Sequence, residues 1–103
     1  MSEGHLQSSI IKYCKDKDDI YCARINAGSV ITKQGRYYSG APAGFSDLLI
    51  CVPGKVLMVE LKTGKGRLSK SQMKFQKQMY RLNIPYHVIR SLKQFKEMID
   101  EFI

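Results

Sequence analysis

The amino-acid sequence predicts an α/β fold, a mixed β-sheet flanked by α-helices. Three observations carry this prediction: apolar residues at helical spacing near the N-terminus, two strand-like runs joined by a Pro-Gly turn, and a strand-helix-strand succession after them. Two strands joined by a tight turn pair antiparallel, whereas a strand-helix-strand unit brings its second strand back parallel to the first, so the sheet has to be mixed. At 103 residues the chain can bury one core but not two, and one domain spanning residues 1–103 is expected.

Taken in order, residues 2–17 form the first helix, because Leu6, Ile10, Tyr13 and Cys14 recur at helical spacing and Ser2 can serve as the N-cap. Residues 20–26 (IYCARIN) have the β-branched and aromatic content of a strand. Gly28 and Gly35 then bracket a short basic segment, read as a strand with a loop or hairpin. Residues 40–44 (GAPAG) are a break. Residues 47–52 (DLLICV) read as a strand starting at the aspartate, Pro53-Gly54-Lys55 as a turn, and residues 55–62 (KVLMVELK) as its partner. The second of these strands is apolar on both faces over Val56 to Val59, which assigns it a central place in the sheet.

After a basic, glycine-containing loop at residues 64–67, Ser69 and Gln72 have the spacing of a capping box that opens a helix running to about Leu82. Gln72, Phe75, Met79 and Leu82 share one face of it, and Lys70, Lys74, Lys77 and Arg81 another. Asn83 and Pro85 end that helix, residues 86–90 (YHVIR) form a strand, and Ser91 with Gln94 repeats the capping pattern before a C-terminal helix. Leu92, Phe95, Ile99 and Phe102 supply its apolar face.

Seventeen Lys and Arg against nine Asp and Glu give a net charge of +8, so the surface attracts polyanions, nucleic acid first among them. A cationic surface that binds nothing is the alternative on charge alone. The three cysteines, Cys14, Cys22 and Cys51, form neither a closed disulfide set nor a zinc pattern, and are expected as small buried apolar residues in a reducing compartment. With no leader-like N-terminus and no long apolar run, the expected location is the cytoplasm.

Glu60 and Lys62 are the sharpest chemical signal. Alternate strand residues point to one face, so a carboxylate and an ammonium stand side by side at the end of an apolar run, a placement that costs several kcal/mol unless the charges are paired or bind a metal. A hairpin turning at Pro53-Gly54 brings Asp47 nearly opposite Glu60. Two carboxylates in a cleft are hard oxygen ligands suited to Mg2+ or Mn2+, and phosphodiester hydrolysis is the natural use of such a site, with Lys62 orienting the nucleophile or neutralising transition-state charge. In the competing reading Glu60 and Lys62 are an ordinary ion pair and Asp47 a turn residue or cap.

Glu3 and Gln7 in the first helix, Arg24-Ile25-Asn26, Gly44-Phe45-Ser46-Asp47, Val59-Glu60-Leu61-Lys62 and Leu68-Ser69-Lys70-Ser71-Gln72 together resemble the VRR-NUC domain. That domain is a compact branch of the PD-(D/E)XK nuclease superfamily, and the resemblance runs from about residue 3 to residue 92. It implies a restriction-endonuclease-like core and metal-dependent cleavage of DNA, on branched or flapped DNA in the larger members. It also implies standalone occurrence in phages and bacteria, and so a bacterial host cytoplasm for a phage-encoded chain. Carried over by residue, Asp47 and Glu60 are similar to the metal ligands, with the backbone carbonyl of Leu61 a third, and Lys62 to the catalytic lysine. Glu3 is similar to the acidic helix residue that completes such sites, and Gln72 to the glutamine opening the following helix. Serine at position 46 departs from the usual proline, which shapes backbone and performs no chemistry.

Several residues retain two readings. Glu3 is either a site carboxylate or favourable charge at a helix N-terminus. Gln72 is either a site residue or only the capping partner of Ser69. Lys33, Arg36, Tyr37 and Tyr38 can hold phosphates and stack on unpaired bases, or the tyrosines simply alternate in a strand. With Lys65, Arg67, Lys70 and Lys74, the residues Lys33, Arg36 and Tyr37 are the expected nucleic-acid contacts, although a helical lysine stripe is also an ordinary solvated face. His5 and His87 have no partner pattern, so histidine-based chemistry is not indicated. A chain this short is expected to grip DNA as a homodimer. The alternatives to a nuclease are a non-catalytic nucleic-acid-binding module and an interaction protein with an acidic partner.

Overall fold

The computed structural model describes every residue except Gly28, and at Ser29, Val30, Tyr38 and Ser39 only the backbone, so the expectations placed on Gly28 and on the Tyr38 ring lie outside the described residues. The elements are α1 (Glu3–Lys15), β1 (Tyr21–Arg24), β2 (Ser29–Ile31), β3 (Tyr37–Ser39), β4 (Leu48–Val52), β5 (Lys55–Leu61), α2 (Lys70–Arg81), β6 (Tyr86–Ile89) and α3 (Leu92–Asp100). A four-stranded sheet has the order β1-β4-β5-β6, and β2 with β3 makes a separate two-stranded arm. The sheet is mixed: β4 pairs antiparallel with β1 and β5, while β6 lies parallel to β5. The α/β reading holds, with the α2 crossover between β5 and β6.

Local chemistry sets the boundaries. Ser2 caps α1 by accepting from the His5 N–H, and Ser69 and Gln72 form a complete capping box on α2. The second capping motif is incomplete. Ser91 Oγ accepts from the Gln94 N–H, but the Gln94 side chain reaches one residue further back and accepts from the Arg90 N–H at 2.7 Å. Val52 pairs with Lys55 across a two-residue turn in which Gly54 has φ +70°. At the end of α2, Asn83 turns the chain with φ 57°, a conformation asparagine tolerates better than most residues. Strands β4, β5 and β6 are each one residue shorter than expected, losing Asp47, Lys62 and Arg90, and β1 covers only Tyr21–Arg24 of the expected 20–26.

The helices cover opposite faces of the sheet. Leu6, Ile10, Leu48, Ile50, Leu57, Val59, Leu61, Ile89, Phe95 and Ile99 form the main core, where α1 and α3 pack. On the other face Phe75 of α2 stacks between Phe45 (4.7 Å between ring centroids) and Tyr86 (5.9 Å), with Met58 and Met79 buried. No helix covers the β1–β4 half of this second face. On this face Tyr21 of β1 and Val56 at the start of β5 are exposed, so the sequence expectation of burial on both sides of β5 fails at Val56. Leu82 also departs from its expected place on the apolar face: it is the C-cap residue beyond the last turn of α2 and is 56% exposed. Of the cysteines only Cys14 is buried, whereas Cys22 and Cys51 are half-buried, and all three are free. No helix of the described residues is long and apolar enough to cross a membrane.

Candidate active site

The hairpin register decides what meets what. Leu48 pairs with Val59, so Asp47, one residue before β4, stands opposite Glu60 near the end of β5. Asp47 is held by a hydrogen bond from the Leu61 N–H to its Oδ2 at 2.7 Å, while its own carbonyl accepts from the Ile25 N–H at 2.9 Å. Its side chain thus bridges to β5 at the point where a backbone ladder bond would otherwise continue.

Glu60 is 1% exposed, a carboxylate inside the protein. Gln72 Nε2 donates to its Oε2 at 3.1 Å, but Oε1 is buried with no partner among the described residues. Burial is the largest influence on this carboxyl. The adjacent Asp47 adds to it, Lys62 opposes it, Glu3 adds a little, and the pKa rises to about 8. Two carboxyls this close cannot both ionise without a nearby positive charge.

Gln72 makes both the capping contact and a contact with Glu60. Its Oε1 accepts from the Ser69 N–H at 2.8 Å, completing the capping box, and its Nε2 holds Glu60. The first turn of α2 is in turn fixed by Gly44, which has φ +89° and lies so close that a Cβ there would overlap the Ser71 carbonyl. Ser46, where proline is usual in the motif, is fully buried, and its Oγ donates to the Leu48 carbonyl at 3.1 Å. A side-chain hydrogen bond here orders the turn before Asp47, the part proline otherwise plays through its ring.

Lys62 follows β5 on the face shared with Glu60, and its backbone N–H donates to the Ile89 carbonyl at 3.1 Å. The basic loop at residues 64–67 lies against its aliphatic stem at Gly66. Arg90 holds that loop, with Nη1 donating to the Gly64 carbonyl at 3.1 Å and Nη2 to the Gly66 carbonyl at 2.9 Å. Glu3 is exposed in the first turn of α1, and its charge is felt at Glu60. Among the described residues no group of three or more His, Cys, Asp or Glu side chains is gathered to hold a metal, so Glu3 stands apart from the carboxylate pair. At Leu61 the backbone group engaged with the site is the N–H, which serves Asp47.

Two residues escaped the sequence reading. Arg90 was read only as the end of a strand. Tyr86 sits on the same face as Glu60, because Met58 pairs with Tyr86 and Glu60 with Val88. Its hydroxyl is buried without a partner, and burial together with the Glu60 and Asp47 charges raises its pKa. Glu60 Oε1 and the Tyr86 hydroxyl are thus two buried polar atoms without partners on the same face of the sheet. The signal available in sequence was Tyr86 lying two residues before the β6 position that pairs with Glu60, legible only with the strand register in hand.

The cationic residues expected to contact nucleic acid are all exposed. Lys65 and Arg67 are exposed on the loop beside Lys62, and Lys70 and Lys74 are exposed on α2. Lys33, Arg36 and Tyr37 are exposed on the β2–β3 arm, which leaves the sheet next to Ile25, the residue bonded to Asp47. His5 is exposed, and His87, half-buried against Phe102 on the opposite face, takes no part.

Comparison with known families finds that the family described as VRR-NUC domain matches residues 2–93. Comparison with curated proteins and with solved structures gives no match.

Proposed function

This chain belongs to the VRR-NUC family, a PD-(D/E)XK nuclease-type domain, and on that premise we propose that it is a Mg2+- or Mn2+-dependent endonuclease hydrolysing phosphodiester bonds in branched or otherwise structured DNA. The observation that carries the reading is the buried Glu60 carboxylate, its Oε1 left unpartnered, opposite the half-buried Asp47. Oxygen donors alone, at a pair whose mutual repulsion a dication relieves, fit Mg2+ or Mn2+, which bind through one or two carboxylates and fill the remaining positions with water and substrate phosphate. A dication bound there would lower the pKa of a water and stabilise charge on the scissile phosphate.

The protein's own residues supply orientation and charge. Leu61 N–H and Gln72 Nε2 each occupy one oxygen of Asp47 and Glu60, which leaves the other oxygen of each as the one a dication would take. Lys62 orients the attacking water or neutralises the pentavalent phosphate, its stem steadied by the loop that Arg90 holds. Lys33, Arg36, Tyr37, Lys65, Arg67, Lys70 and Lys74 hold the DNA backbone around the site.

Lys62→Ala removes the ammonium without touching the sheet hydrogen bonds. It abolishes cleavage while the circular dichroism spectrum stays native; a fully active variant would end the proposal. Two copies acting on opposite strands fit a subunit of 103 residues, with the helix-free half of the sheet at Tyr21 and Val56 as the joining surface. Light scattering should give twice the chain mass for the native protein and the single mass for Val56→Glu; a native monomer across working concentrations refutes the dimer.

A further inference from the structure

At the end of α2 remote from Gln72 a groove of about 650 Å³ opens between the helix and the start of β6. Gln76, Lys77, Tyr80 and Arg81 form its helical wall, and Pro85 and Tyr86 line the other side. Its charge is of one sign, since the helix KSQMKFQKQMYR contains no acidic residue and none lines the groove. Tyr80 is 83% exposed. An aromatic ring this open contributes little to packing, and it stands between two cations, Lys77 three residues before it and Arg81 one after.

We propose that this groove binds an unpaired stretch of the DNA strand, with Tyr80 stacking on a base and Lys77 and Arg81 holding the adjoining phosphates. An open ring flanked by cations suits single-stranded nucleic acid, because an unpaired base exposes its face whereas a paired base buries it in the stack. The placement supports the same occupant. Lys70, Lys74, Lys77 and Arg81 make a continuous cationic stripe from the catalytic end of α2 to the groove. Eight residues separate Gln72 from Tyr80, roughly 12 Å at 1.5 Å per residue. That is the length of roughly three to four stacked nucleotides at 3.4 Å each. The groove is therefore a second contact on the strand whose scissile phosphate lies at Glu60, and it selects substrates with a single-stranded segment close to the cut. This inference rests on the nuclease reading for the position of the scissile phosphate, but the binding it predicts needs neither metal nor chemistry.

The test measures fluorescence anisotropy of the Lys62→Ala chain in EDTA at fixed salt. The probes are a short oligothymidylate, the same backbone lacking bases, and a hairpin duplex of equal charge. The expected result is that Tyr80→Ala weakens oligothymidylate binding roughly tenfold or more, as loss of one stacked base does. Tyr80→Phe restores it, and abasic and duplex probes change less than about twofold. Equal losses on all three probes, or none on oligothymidylate, overturn the groove while leaving the nuclease reading intact. No binding of any probe by the parent chain likewise overturns the groove, while the nuclease reading stands or falls on metal-dependent cleavage.

Discussion

Replacing Glu60 by glutamine separates what this carboxylate does for function from what it costs the fold. In the metal-free protein its pKa stands near 8 against an ordinary 4.5, and each unit of such a difference is worth about 1.4 kcal/mol. The ionised form is therefore disfavoured by several kcal/mol. Glu60→Gln keeps the shape and can still accept from Gln72 Nε2, but removes the charge beside Asp47. Because Asp47 remains and the new amide needs partners of its own, only part of the penalty is recovered, about 1–3 kcal/mol at pH 9. At roughly 4–8 °C per kcal/mol for a domain of this size, the melting temperature in EDTA should rise by about 4–24 °C.

The pH dependence has a definite sign. Between pH 4.5 and about 8 the folded state holds a proton on Glu60 that the unfolded state has released. The stability this confers is fully present below 4.5 and is lost as pH rises through 8. His87, whose pKa burial lowers, works the other way below its ordinary 6.5, so the difference between native and variant isolates Glu60. Thermal melts from pH 5 to 9 in EDTA should converge at pH 5 and diverge at pH 9. With Mn2+ added, the native chain should gain stability and the variant much less. A variant equal to or less stable than native at pH 9, with parallel pH profiles, refutes the account of Glu60 as a buried charge awaiting a cation.

Gly44→Ala places a Cβ against the Ser71 carbonyl at a φ that disfavours any side chain. It should lower stability by about 2 kcal/mol or more in urea melts and weaken cleavage by displacing Gln72, and a neutral effect would show that the loop does not fix α2. Tyr86→Phe retains the ring contact with Phe75 and removes the orphaned hydroxyl. Its metal-free melting temperature should stay within a few degrees of native while Mn2+ affinity by calorimetry falls several-fold; unchanged affinity would leave the hydroxyl without a role.

Much of this site was legible because it follows from short-range rules. Strand alternation put Glu60 and Lys62 on one face, a two-residue turn fixed the register that sets Asp47 opposite Glu60, and Ser69 with Gln72 announced the helix that delivers Gln72 to the pair. What stayed hidden depends on contacts distant in sequence. Arg90 reaches back to Gly64 and Gly66, and Tyr86 comes onto the face of Glu60 only through a parallel register that the α2 crossover establishes. Val56 and Leu82 were misplaced for a related reason: periodicity marks an apolar face but does not say where the covering element ends. At Gln72 the sequence offered two roles as alternatives, and one amide makes both contacts by using its oxygen and its nitrogen separately.

The most direct measurement is cleavage of supercoiled plasmid and of flap and four-way-junction DNAs by native protein and by Glu60→Ala, with Mg2+, Mn2+ or EDTA. Metal-dependent cutting by the native chain that disappears in EDTA and in the variant is the predicted result. Binding without cutting under every condition, or cutting that survives the loss of Glu60, would contradict it.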